Sequence, residues 1–190
     1  MKRINTLFAA AAALTTLLAA SCDNDRTLEF DDRDYDTNVV YVHQPAVTTY
    51  NISYSSATGQ FLSGAFSTLD IAEVCTTHAA KSDIRVTLTV DVTELERRNA
   101  ELLAATPEGV EANLWQLPQH ITFAESSVTV PRGEYRSAEP IRIICTDLAA
   151  FIGEKQMKFL LPIKLTTSAG GVRTSVSKSM IVLEFVSSGV

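Results

Sequence analysis

A chain of 190 residues, 46% hydrophobic and 20% charged, is long enough for about one domain with a core of ordinary size. Its 16 basic and 22 acidic residues give a formal net charge of −6. With no basic stripe anywhere, that balance excludes a nucleic-acid binder working by phosphate neutralisation.

The first 21 residues read as a removable signal. Lys2 and Arg3 make a positive start, residues 4–20 are apolar, and small residues gather towards the end. Ala and Thr are abundant and no charged stop-transfer flank follows, so a cleaved signal fits better than a permanent membrane helix. Leu18-Ala19-Ala20-Ser21-Cys22 resembles a bacterial lipobox, which predicts lipidation at Cys22. Cleavage there leaves 169 residues with a net charge of −8. Membrane attachment then comes from acyl chains, not surface charge. Residues 22–38 follow as a flexible acidic tether, because a run with so few apolar residues cannot offset chain entropy. Asp32, Asp34 and Asp36 suggest a calcium loop, but Thr37 stands where the loop needs Gly and His43 where it needs Glu. Acidic residues after a lipidated Cys resemble surface-export signals, a resemblance that predicts a location on the outer membrane facing the cell exterior.

Residues 39–190 read as a single β-domain. Val39 to Val42 are strand-like, and Thr48, Tyr50, Ile52 and Tyr54 alternate with polar neighbours. Residues 61–74 suggest strand broken at Gly64. Ile84, Val86, Leu88 and Val90 alternate with Arg85, Thr87, Thr89 and Asp91, so one face is buried. Thr93 and Glu96 form a capping box opening a short helix, with Leu95, Leu102 and Leu103 along one face until Pro107 ends it. Residues 126–146 read as a hairpin: Val128 and Val130, a turn at Pro131-Arg132-Gly133-Glu134, then Ile141, Ile143 and Cys145. Phe159, Leu161, Ile163 and Leu165 form another inward face, with Pro162 marking an edge or bulge. Ile181, Leu183 and Phe185 close the last strand, with Glu184 outward. Short alternating strands with one short helix predict a mainly β, immunoglobulin-like two-layer antiparallel β-sandwich.

The order of these motifs resembles the Bacteroidetes domain-of-unknown-function 1735 family. The residues concerned are Val90 and Val92 around Asp91, then a short helix, Leu117-Pro118, Ile121-Thr122-Phe123, Val128-Thr129-Val130-Pro131-Arg132-Gly133 and Leu161-Pro162-Ile163. Arg98-Asn99 stands where the family often has Tyr-Asn, and residues 101–113 replace a short Gly-Thr loop. The resemblance implies an N-terminal β-sandwich domain of outer-membrane lipoproteins, some of them glycan-active. It brings no catalytic residues to transfer.

Chemistry-bearing residues are sparse. His43, His78 and His120 are isolated, no nucleophile elbow is present, and no spacing suggests a metal or cofactor site. Glu94, Glu96 and Glu101 could supply a glycosidase pair, but a solvated helix face accounts for them better. Cys145, in phase with Ile141 and Ile143, favours core thiols at Cys75 and Cys145, with a bridge as the alternative in an oxidising compartment. Trp115 is the nominated ligand contact, with Asn113 and Gln116 beside it, since an exposed aromatic next to amides suits a sugar. Packing of Trp115 onto the helix is the alternative. Tyr50, Tyr54 and Tyr135 are weaker candidates. The expectation is therefore a non-catalytic surface lipoprotein serving glycan capture. The runner-up is a structural or assembly module that binds another envelope or fimbrial protein.

Overall fold

The computed structural model describes residues 37–43, 47–55, 57–147 and 157–189. Twelve strands and one helix form among them: β1 (Asn38–Val42), β2 (Val47–Ser55), β3 (Gln60–Ser63), β4 (Thr68–Ala72), β5 (Val74–Thr76), β6 (Ile84–Val90), α1 (Val92–Ala105), β7 (Ile121–Phe123), β8 (Ser127–Val130), β9 (Ile141–Cys145), β10 (Met157–Thr167), β11 (Val172–Thr174) and β12 (Met180–Gly189). They make a six-stranded sheet ordered β3-β2-β12-β10-β6-β8 and two three-stranded sheets, β11-β1-β5 and β4-β9-β7. The fold is mainly β and sandwich-like, as the alternation predicts. Most pairs are antiparallel; β1 with β11 and β2 with β12 run parallel.

One core joins the three sheets. Val40 and Val74 come from the first small sheet, Ile141 and Ile143 from the second, and Ile84, Ile163, Leu183 and Phe185 from the large one. Each fully buried side chain of this kind contributes roughly 1.5–3 kcal/mol relative to exposure. The inward residues of β6 and β10 are those expected from the period of two: Ile84, Val86, Leu88 and Phe159, Leu161, Ile163, Leu165 are all buried. Val90 departs from its row at 39% exposed, where β6 gives way to the helix.

Residues 126–146 do not form a hairpin. β8 pairs with β6 in the large sheet, whereas β9 lies between β4 and β7 in a small one. The turn itself forms, with Glu134 N–H donating to Pro131 O at 3.0 Å and Gly133 at φ +87°. The chain then runs along β5 before it returns. Thr76 N–H donates to Tyr135 O and Ser137 N–H to Val74 O, at 2.9 and 2.8 Å. Those bonds carry the segment from one layer to the other.

Pro162 likewise sits elsewhere than at an edge, because β10 is flanked by β12 and β6. It pairs with Val182 on one side, and its carbonyl accepts from Asp91 N–H at 2.9 Å on the other. The β6 register would set Pro162 opposite Asp91, where a second bond to Asp91 O would be expected. Proline has no N–H to make it. Asp91 O instead accepts from Glu94 N–H at 3.2 Å, the first turn of α1.

The helix cap is Asp91, not Thr93. The Asp91 carboxylate accepts from Thr93 N–H at 3.2 Å. Leu95 and Leu102 are half-buried, but Leu103 is 54% exposed and no residue of α1 is fully buried. The helix lies against β10. Leu160 and Val182, on the outer faces of β10 and β12, are nevertheless buried.

Candidate functional site

Trp115 is half-buried, with its backbone held from both sides by one side chain. Asn99 on α1 donates Nδ2–H to Trp115 O at 2.9 Å, and its Oδ1 accepts from Trp115 N–H at 2.8 Å. The next residue is stitched to β10: Gln116 N–H donates to Lys158 O at 3.1 Å, and Leu160 N–H donates to Gln116 O at 2.8 Å. Lys158 Nζ stands 5.5 Å from the centroid of the Trp115 ring, within cation–π range. Asn113 and Gln116 are exposed. The three nominated residues therefore share one loop with a fixed backbone, and Asn99 and Lys158 join them. Neither addition was legible in the sequence, since Asn99 lies on the helix and Lys158 on a distant strand.

The tyrosines lie elsewhere. Tyr50 stacks on Phe185 with centroids 5.4 Å apart, Tyr54 meets Phe61 at 5.1 Å, and Tyr135 is exposed. Cys22 lies outside the described residues, as do Asp32, Asp34 and Asp36.

The helix glutamates are committed to arginines. Glu94 accepts from Arg97 at 2.7 Å and from Arg98 at 3.0 Å, and Arg97 also reaches Glu101. The Arg97 hydrogen bond, with Arg98 beside it, holds the Glu94 carboxyl at about 2. A group ionised that firmly cannot act as a general acid near neutral pH. Arg98 spans onward to Glu184 at 2.8 Å, and Thr49 Oγ1 donates to the other Glu184 oxygen at 2.9 Å. This chain of charges ties α1 across β12 to β2. Among the described residues no group of three or more His, Cys, Asp or Glu side chains is placed to hold a metal.

A cleft of about 490 Å³ opens between residues 124–129 and 138–142, where the expected hairpin is absent. Glu125, Glu139, Pro140 and Arg142 line its sides and Ser127 to Thr129 its floor. Arg142 donates twice to Asp70, at 2.5 and 3.0 Å. Reading 126–146 as paired strands hid this space. The signal that could have shown it is the ten-residue interval between β8 and β9, too long for a tight hairpin and ending in Pro140.

No family model matches this chain, and no curated protein matches it. Solved structures do. A two-domain protein of unknown function from Bacteroides fragilis superposes with a TM-score of 0.60 at 18% identity, over 82% of this chain and 47% of that one. A provisionally assigned carbohydrate binding protein from Bacteroides ovatus gives 0.53 at 16% identity, over 80% of this chain and 37% of that one. Structural neighbours also include a multidomain protein including DUF1735 from Bacteroides ovatus, at 0.43 and 17% identity, over 78% and 44%. This chain spans less than half the length of each of these neighbours. What the first two comparisons establish is the fold, a β-sandwich arrangement shared with Bacteroides proteins far removed in sequence.

Proposed function

We propose that this protein is a non-catalytic binding or accessory module, lipid-anchored through Cys22 on the exterior of the outer membrane and serving glycan capture. The observation that carries the reading is the Trp115 loop. A half-buried indole on a backbone clamped by Asn99 loses little freedom on binding, and the exposed amides of Asn113 and Gln116 are hydrogen-bonding groups suited to hydroxyls. The carbohydrate-binding assignment of the Bacteroides ovatus neighbour supports the same ligand class. The lipobox and the acidic stretch after it support the anchor and the outward location.

The test is a binding screen of residues 23–190 against a broad panel of polysaccharides and oligosaccharides, with Trp115→Ala alongside. Binding abolished by the substitution is the expected result. Binding that survives it would discard the site, and silence across the panel would discard the glycan reading. Location is tested separately by protease treatment of intact cells, where full resistance of the chain would refute surface exposure.

A further inference from the structure

The register of the large sheet carries the Trp115 loop onto a wider surface. Gln116 forms a parallel bridge with Phe159, which sets Trp115 beside Lys158, whose Nζ lies 5.5 Å from the indole centroid. Lys158 pairs in turn with Val186 on β12, and Val186 with Asn51 on β2. Their chain neighbours Phe159, Phe185 and Ile52 are buried in the core. Alternation therefore sends Lys158, Val186 and Asn51 to the outer face. Trp115, Lys158, Val186 and Asn51 make one row across adjoining segments of chain. At about 4.8 Å per step that row is roughly 14 Å long.

The helix leaves this row open. It lies against β10 one row further on, where Leu160 is buried and Arg98 reaches Glu184. In the row itself Trp115, Lys158 and Val186 are half-buried and Asn51 is exposed. Its chemistry alternates between apolar and hydrogen-bonding groups: indole, ammonium, isopropyl, amide. Among the described residues no carboxylate forms an ion pair with Lys158, and Glu184 on the adjoining row is engaged by Arg98 and Thr49. The ammonium is thus left to donate to the oxygens of a ligand. The apolar members match the C–H faces of sugar rings, and the polar ones match their hydroxyls. A protein or lipid partner would instead call for a contiguous apolar patch.

We infer that this row takes an internal stretch of a linear oligosaccharide, laid across β10, β12 and β2, with Lys158 and Asn51 as contacts beyond Trp115. The inference rests on the glycan reading of the Trp115 loop and deepens it, from a sugar at one indole to a chain of about three rings along the row.

The experiment measures affinity by titration calorimetry of the full-length chain. The probes are cello-, manno-, xylo- and malto-oligosaccharides, each from the monosaccharide to the hexasaccharide. In at least one series affinity should rise about tenfold or more with length and then level off once the row is filled. Asn51→Ala is an exposed substitution roughly 14 Å along the row from Trp115. It should weaken hexasaccharide binding by about fivefold, the worth of about one hydrogen bond, and leave the shortest bound sugar unaffected. Lys158→Met, which keeps the stem and removes the ammonium, should weaken the longer sugars likewise. Equal affinity for the monosaccharide and the hexasaccharide, with Trp115→Ala abolishing both, would overturn the row while keeping the glycan reading. Full hexasaccharide affinity in Asn51→Ala and Lys158→Met would do the same. Silence in every series would overturn the row, and silence across the polysaccharide panel as well would take the glycan reading with it.

Discussion

Gly64 shows how one residue can hold two strands in place. It ends β3 at φ +75°, and a Cβ there would sit 2.3 Å from Asn51 O on the paired strand β2. Any side chain must push a backbone carbonyl away as well as adopt a strained φ. Gly64→Ala should therefore cost at least about 2 kcal/mol, read as a lower denaturation midpoint with little change in slope. Glu94 makes an electrostatic prediction. Its carboxyl is held at about 2 by Arg97 and Arg98, below the ordinary 4.5, so its contribution is complete above about pH 4.5 and is lost as pH falls towards 2. Arg97 is half-exposed, so screening reduces the gain to about 1 kcal/mol. Glu94→Gln should lower stability by that amount at pH 7 and flatten the fall below pH 4.5, measured by urea melts across pH. An unchanged acid limb would refute the assignment.

At the scale of elements, the helix is held by its ends and its charges more than by apolar burial. None of its residues is buried, yet Asp91 caps it, Arg98 reaches Glu184, and Asn99 grips Trp115. Removing a buried or half-buried partner of two backbone groups costs about 1–3 kcal/mol. Asn99→Ala should lose that much stability and speed hydrogen exchange at the Trp115 amide. The same variant should shift the fluorescence of the chain's single tryptophan towards a more solvated emission. Unaltered exchange at Trp115 would mean that the β10 bridge alone fixes the loop. Much of this was legible. The short helix, its end at Pro107 and the half-buried positions of Leu95 and Leu102 follow from spacing. The cap shifted to Asp91 because Asp91 O is free to start the helix, and that freedom arises from Pro162 on a strand seventy residues away.

For the molecule as a whole, the two described cysteines report on the common core. Cys75 and Cys145 are free, 7% and 8% exposed, on β5 and β9 of different sheets. Burial pushes both thiols above their ordinary range. In residues 23–190 both should resist iodoacetamide at pH 8 and become reactive together through the urea transition. Labelling of either well before unfolding would show that its sheet opens independently of the core.

The local sequence determined which residues are strands and which way they face. A period of two along β6, β10 and β12 sorts Ile84, Leu161 and Phe185 inward whatever their neighbours, because alternate side chains must leave opposite sides of a strand. It also placed the turn at Gly133 and the nominated loop at Trp115. Tertiary structure alone decided which strands meet. The period of two is the same whether β8 pairs with β9 or with β6, so the alternation could not separate a hairpin from a crossing between layers. That crossing takes β8 and β9 into different sheets and forms the cleft between residues 124–129 and 138–142. The same limit hid Asn99 and Lys158 from the Trp115 site and made Glu184, polar on an outward face, the anchor of a helix. Pairing and covering depend on contacts between residues far apart in the chain, which the alternation of side chains along a strand does not encode.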